Sequence, residues 1–116
     1  MTIIRQGLLV ALSELGLEDW IPVPEALSSP EIMKEVGCTE VDPDEAVVRA
    51  LSHLVEGGEV RVYRGRALSA QPAPVSTDEG LKLLKDPHWR RWGREENEER
   101  LFFANAKAAE GWGEDA

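Results

Sequence analysis

Between residues 42 and 56, Ala46, Val47, Ala50, Leu51, Leu54 and Val55 recur three and four residues apart, a continuous stripe of helical period. Asp42 stands where an N-cap acceptor belongs and Pro43 at the first helical position. Asp44 and Glu45 follow, where the helix dipole favours negative charge. Gly57-Gly58 supplies the stop. The period then changes. In EVRVYRGRALSA, residues 59 to 70, Val60, Val62 and Tyr63 precede Arg64-Gly65, and a second short apolar run follows. This predicts a tight hairpin turning at Arg64-Gly65, with Gly65 at positive φ.

The same reading extends to both sides. Residues 2 to 15 predict a first helix, with Ile4, Leu8, Ala11, Leu12 and Leu15 on one face, Ile3 and Val10 widening the buried stripe, and Gly16 as its stop. Residues 17 to 24 carry Trp20, Ile21 and Val23 between prolines that lack an amide donor, which fits a short edge strand. Residues 24 to 36 predict a second helix, kinked or split at Ser28-Ser29-Pro30 because Pro30 disfavours helical geometry at Ser29. Beyond a Pro-rich spacer, Ser76 and Glu79 form a capping box opening a helix over 77 to 85, with Leu81, Leu83 and Leu84 inward. Residues 94 to 105 are ambiguous. Helix propensity over 95 to 109 competes with a strand at 100 to 104, and the strand is preferred because it would cover a hairpin that is marginal alone. Residues 106 to 116 are expected to form a disordered acidic tail.

Charge alters the picture. The 116 residues carry a net charge of −9, which repels polyanions at long range. Residues 38 to 59 hold Arg49 against six acids, a balance of −5, whereas residues 60 to 71 hold Arg61, Arg64 and Arg66 and no acid. A second basic stretch is the DPHWRRW run, where Trp89 and Trp92 share a face beside Arg90 and Arg91. Those indoles are read as roofing the core in preference to anchoring a partner or stacking bases.

Candidate chemistry is sparse. Cys38 is the single cysteine, so no intrachain disulfide forms, and a reducing cytoplasm is the expected setting. With His53 and His88 it makes no metal-ligand spacing, and no phosphate loop, dinucleotide fingerprint or nucleophile elbow occurs. Residues 7 to 12 are too few to span a bilayer. No catalytic residue, cofactor, metal or small-molecule ligand is expected.

The run LSHLVEGGEVRVYRGRA at residues 51 to 67, with LLVALSELG at 8 to 16, resembles the winged-helix superfamily in pattern. The resemblance covers residues 1–70 and implies a winged helix of three helices and a β-hairpin wing; with the C-terminal extension over 71–105 that the residues themselves predict, a short helix and a candidate extra strand packing on that core, the expected fold is α+β. It also implies a domain used for DNA binding and, in many members, for protein contacts or dimerisation. A DNA-binding third helix normally presents Arg, Lys, Asn or Gln to base edges, whereas Asp42, Asp44, Glu45 and Glu56 here accompany one Arg. The reading that follows is a non-enzymatic module that contacts a protein partner or a second copy. The candidate contacts to a partner or to nucleic acid are Arg61, Arg64, Arg66, Trp89, Arg90, Arg91 and Trp92. The alternative is a DNA-binding regulator acting through the basic wing, which the charge disfavours.

Overall fold

A computed structural model describes residues 6–37, 42–66, 72–90 and 99–110. Helix α4 (Pro43–Glu56) lies at its centre. Asp42 accepts a hydrogen bond from the Glu45 amide at 3.2 Å, which satisfies one orphan donor of the first turn. The apolar stripe is buried on this helix, with Leu51 fully enclosed and Leu54 and Val55 nearly so. Helices α1 (Gln6–Leu15), α2 (Val23–Ser28) and α3 (Pro30–Val36) pack around it. Pro30 splits the second helical stretch in two. Ser29 is extended and caps α3 by accepting from the Ile32 amide at 3.4 Å. Leu8 and Leu12 of α1 join Leu51 in one core cluster. Val10 points outward and is 45% exposed, so the buried stripe of α1 is narrower than expected.

The sheet has four antiparallel strands in the order β1-β4-β2-β3. They are β1 (Ile21–Pro22), β2 (Val60–Arg66), β3 (Ala73–Pro74) and β4 (Glu99–Asn105). The short strand expected before α2 is present, at an edge where Pro22 leaves no ladder donor missing from the interior. The strand expected at 100–104 is also present, and it pairs with β2 along its whole length from Val60↔Asn105 to Arg66↔Glu99.

The tight hairpin is not formed. Gly65 lies inside the continuous strand β2, opposite Arg100. Among the described residues the glycines at positive φ are Gly37, at 82°, and Gly58, at 78°, where α3 and α4 end. A Cβ on Gly65 would come within 2.9 Å of Pro72 Cα, so close approach of backbone is what this position requires. The chain reverses beyond Arg66, since Tyr63 and Arg64 pair antiparallel with Pro74 and Ala73. Between β2 and β4 come β3, helix α5 (Thr77–Leu84) and a 3₁₀ turn (Pro87–Arg90). Ser76 caps α5 as expected, accepting from the Glu79 amide at 3.2 Å, and α5 packs on α4 and β2.

A short helix α6 (Ala106–Ala109) occupies part of the stretch expected to be disordered. Asn105 holds it: its side chain accepts from the Ala108 amide at 3.0 Å and donates to Ser13 Oγ at 3.1 Å. Its own amide donates to the Gly16 carbonyl at 3.0 Å. A small second cluster, Tyr63, Ala104 and Ala109 with Trp20 and Phe102, covers the sheet face turned away from the main core. The expectations for Ile3, Ile4, Cys38, Arg91, Trp92 and the tail from 111 onward lie outside the described residues.

Candidate interaction site

Strand period determines what the basic stretch of β2 presents. Successive side chains of a strand leave by opposite faces. Arg61 therefore emerges on the face of Tyr63, while Arg64 belongs to the face of Val60 and Val62. Arg61 is exposed beside Ala104 of the neighbouring strand. Arg64 is engaged within the fold. Its guanidinium lies over the Trp89 ring, 5.2 Å from the centroid, and it forms a two-pronged pair with Glu99, Nε to Oε1 at 3.0 Å and Nη2 to Oε2 at 3.2 Å. Arg61 and Arg64 therefore do not make one open patch. Of Arg66 and Arg90 only the backbone is described.

Trp89 is a core residue, 9% exposed, held by the 3₁₀ turn between α2 and α5. The reading of the indole as a roof of the core holds for this residue, so Trp89 is not a surface anchor. His88 meets it edge-on with centroids 5.0 Å apart. Composition alone does not reveal the Trp20–Tyr63 edge contact at 6.1 Å, because the two residues are joined only through β4.

Helix α4 presents a narrow outer stripe. With α1, α2, α3, α5 and β2 all packed against it, Glu45, His53 and Glu56 remain exposed and Arg49 and Ser52 half-buried. Arg49 follows Glu45 by four residues, the spacing at which opposite charges support each other along a helix. The described outer stripe of α4 thus carries few donors for phosphate.

Besides a depression of about 370 Å³ between α1 and the end of α4, lined by Val10, Glu14 and His53 among others, two further surface depressions are present. One, of about 290 Å³, lies where α4 ends against β2 and the start of α5, with Val55, Val60, Val62 and Val75 as its walls and Arg61 and Ser76 at its mouth. The other, of about 390 Å³, follows the seam between α1 and α3, with Leu15, Leu17 and Ile32 below and Glu14, Glu18 and Glu31 around it. Neither was anticipated, since each combines residues from elements distant in sequence.

Compared with family models, with curated proteins and with solved structures, the chain matches none. Among the described residues no helix is long and apolar enough to cross a membrane.

Proposed function

We propose that the chain is a small non-enzymatic module of winged-helix-like architecture that works through protein–protein contacts. Support for the architecture comes from the order helix, edge strand, split helix, central helix and strand, with β4 returning between β1 and β2. In this reading the two strands that would flank a wing are β2 and β4, and the segment with β3 and α5 replaces the short wing turn.

The observation that carries the functional reading is the surface of α4. In a DNA-binding winged helix this helix enters the major groove and supplies base-edge donors. Here Glu45 and Glu56 dominate its exposed stripe, and Asp42 and Asp44 flank its start. The basic strand does not compensate, because the Arg64 guanidinium is already shared between Glu99 and Trp89. A contact by Arg61, even with Arg66 added, would neutralise about two phosphates, which is far from the several contacts of a tight complex.

The test is a titration of the full chain against a pool of random duplexes at about 0.15 M salt, with sequencing of what is retained. No submicromolar binding is expected. Submicromolar affinity with an enriched motif, lost on Arg61→Glu, would promote the DNA-binding regulator. Arg61 is the appropriate position because Arg64→Glu would also set a second carboxylate beside Glu99.

A further inference from the structure

We propose that the seam between α1 and α3 is the docking groove of this module, and that its occupant is an amphipathic helix of another protein with Lys or Arg on both sides of an apolar face. This rests on the protein-contact reading above and specifies where the contact is made and with what chemistry.

The groove has an apolar floor. Leu15 is half-buried, Ile32 is sealed beneath it, and Leu17 is 46% exposed. Leu17 and Val10 are the exposed large hydrophobic residues among those described, and Leu17 is the one that lines this depression. The backbone at Leu17 is fixed: its amide donates to the Glu14 carbonyl at 3.2 Å in the turn that ends α1. A single exposed leucine is ordinary. One that forms the open side of a groove of about 390 Å³, within the size range of sites that accept side chains, is a place for a partner's apolar group.

The rim identifies the partner. Glu14, Glu18 and Glu31 come from α1, the following turn and α3, and converge on the same depression. Among the described residues no cation is paired with any of the three. An apolar floor ringed by carboxylates matches a leucine-bearing helix face flanked by bases, the arrangement of helix-in-groove recognition. A second copy is disfavoured as occupant, since both copies carry −9 and the Arg64 of each is engaged internally. The carboxylates steer the approach and the leucines hold the complex, so charge acts on the association rate and apolar contact on the dissociation rate.

The experiment uses the full chain and a labelled helical probe, with leucines at i, i+3, i+4 and i+7 and lysines at the flanking positions. A scrambled peptide of equal composition is the control. Anisotropy and stopped-flow rates are recorded at about 0.05 and 0.15 M salt. Thermal melts confirm that each variant folds. The helical probe is expected to bind and the scrambled one to bind at least about tenfold more weakly. Leu17→Ser is expected to weaken binding about fivefold or more, through faster dissociation and with unchanged net charge. Glu14→Gln/Glu18→Gln/Glu31→Gln is expected to slow association about tenfold. The equal neutralisation Glu56→Gln/Asp78→Asn/Glu79→Gln, at residues that do not line the groove, is expected to alter it less than about twofold.

Equal binding of the scrambled probe, equal effects of the two neutralisations, or no effect of Leu17→Ser would each overturn the groove. A parent dimer that Leu17→Ser converts to monomer would also overturn it, by assigning the surface to a second copy. Failure of the probe together with failure of duplex DNA to bind refutes the groove alone. Tight duplex binding refutes the broader reading.

Discussion

Replacing Gly16 with alanine tests the packing of α1 on the sheet more sharply than any core truncation. Gly16 follows the last turn of α1 and its carbonyl accepts from the Asn105 amide at 3.0 Å. A Cβ built there would lie 2.8 Å from Asn105 N, 3.0 Å from Ala104 Cα and 3.1 Å from Ala104 C. All three are backbone atoms of β4, held in register by β2 on one side and β1 on the other, so no side chain can rotate away. Overpacking of this kind costs about 1–3 kcal/mol. Stretching the Asn105 hydrogen bond adds up to about 1 kcal/mol. The stiffer unfolded chain offsets about 0.4–1 kcal/mol. The net loss is about 1–3 kcal/mol, or a midpoint lowered by roughly 5–20 °C for a domain of this size. Gly58 provides the contrast. It sits at φ +78° with no atom within 4 Å of the added Cβ, so its alanine variant carries conformational strain alone, about 1 kcal/mol. Asparagine tolerates that region, so Gly58→Asn should recover part of the loss, whereas Gly16→Asn should be no better than Gly16→Ala. Thermal and urea melts of the four variants decide the matter. A Gly16→Ala midpoint equal to the parent's, or a rescue by asparagine at Gly16, would refute the close-approach reasoning.

Three further outcomes follow from the packing. Leu51→Ala, at a fully enclosed site on α4, should cost about 2–5 kcal/mol in urea denaturation, and a loss below about 0.5 kcal/mol would mean that α4 does not pack as described. Ser76→Ala removes the acceptor of the Glu79 amide and should cost about 1 kcal/mol, read as a lower melting midpoint. Arg64→Met keeps an apolar stem over Trp89 but abolishes the pair with Glu99; because the two side chains are 40% and 46% exposed, the change should stay within about 1 kcal/mol and shrink further as salt is raised.

What could be read along the chain was whatever local chemistry dictates. The Asp42 and Ser76 caps, the break at Pro30 and the edge placement of Ile21-Pro22 each depend on residues within four positions of one another, and the structure has them all. The turn at Arg64-Gly65 was misleading for the same reason. A glycine between two apolar runs satisfies the local criteria for a hairpin, but the glycine is there to admit Pro72; β2 runs on through it, and its full-length partner is β4, reached only after another strand and helix. The site followed the same rule. The charge of α4 was evident, whereas the engagement of Arg64 depends on Glu99 and Trp89, and the depression between α1 and α3 on residues more than a dozen positions apart. Trp89 illustrates both sides: its neighbours are charged, yet a core of this size needs its indole.

The sheet order carries a consequence for synthesis. β4, the last of the four strands to emerge from the ribosome, is the strand that β1 and β2 both require. Until residue 105 has left the exit tunnel, the helical contacts among α1, α3 and α4 can form, but the two earlier strands have no common neighbour. At about 5–20 residues per second, the interval between completing β2 and completing β4 lasts a few seconds. During that interval the ladder groups of β2 that face β4 stand open, a template for another nascent chain.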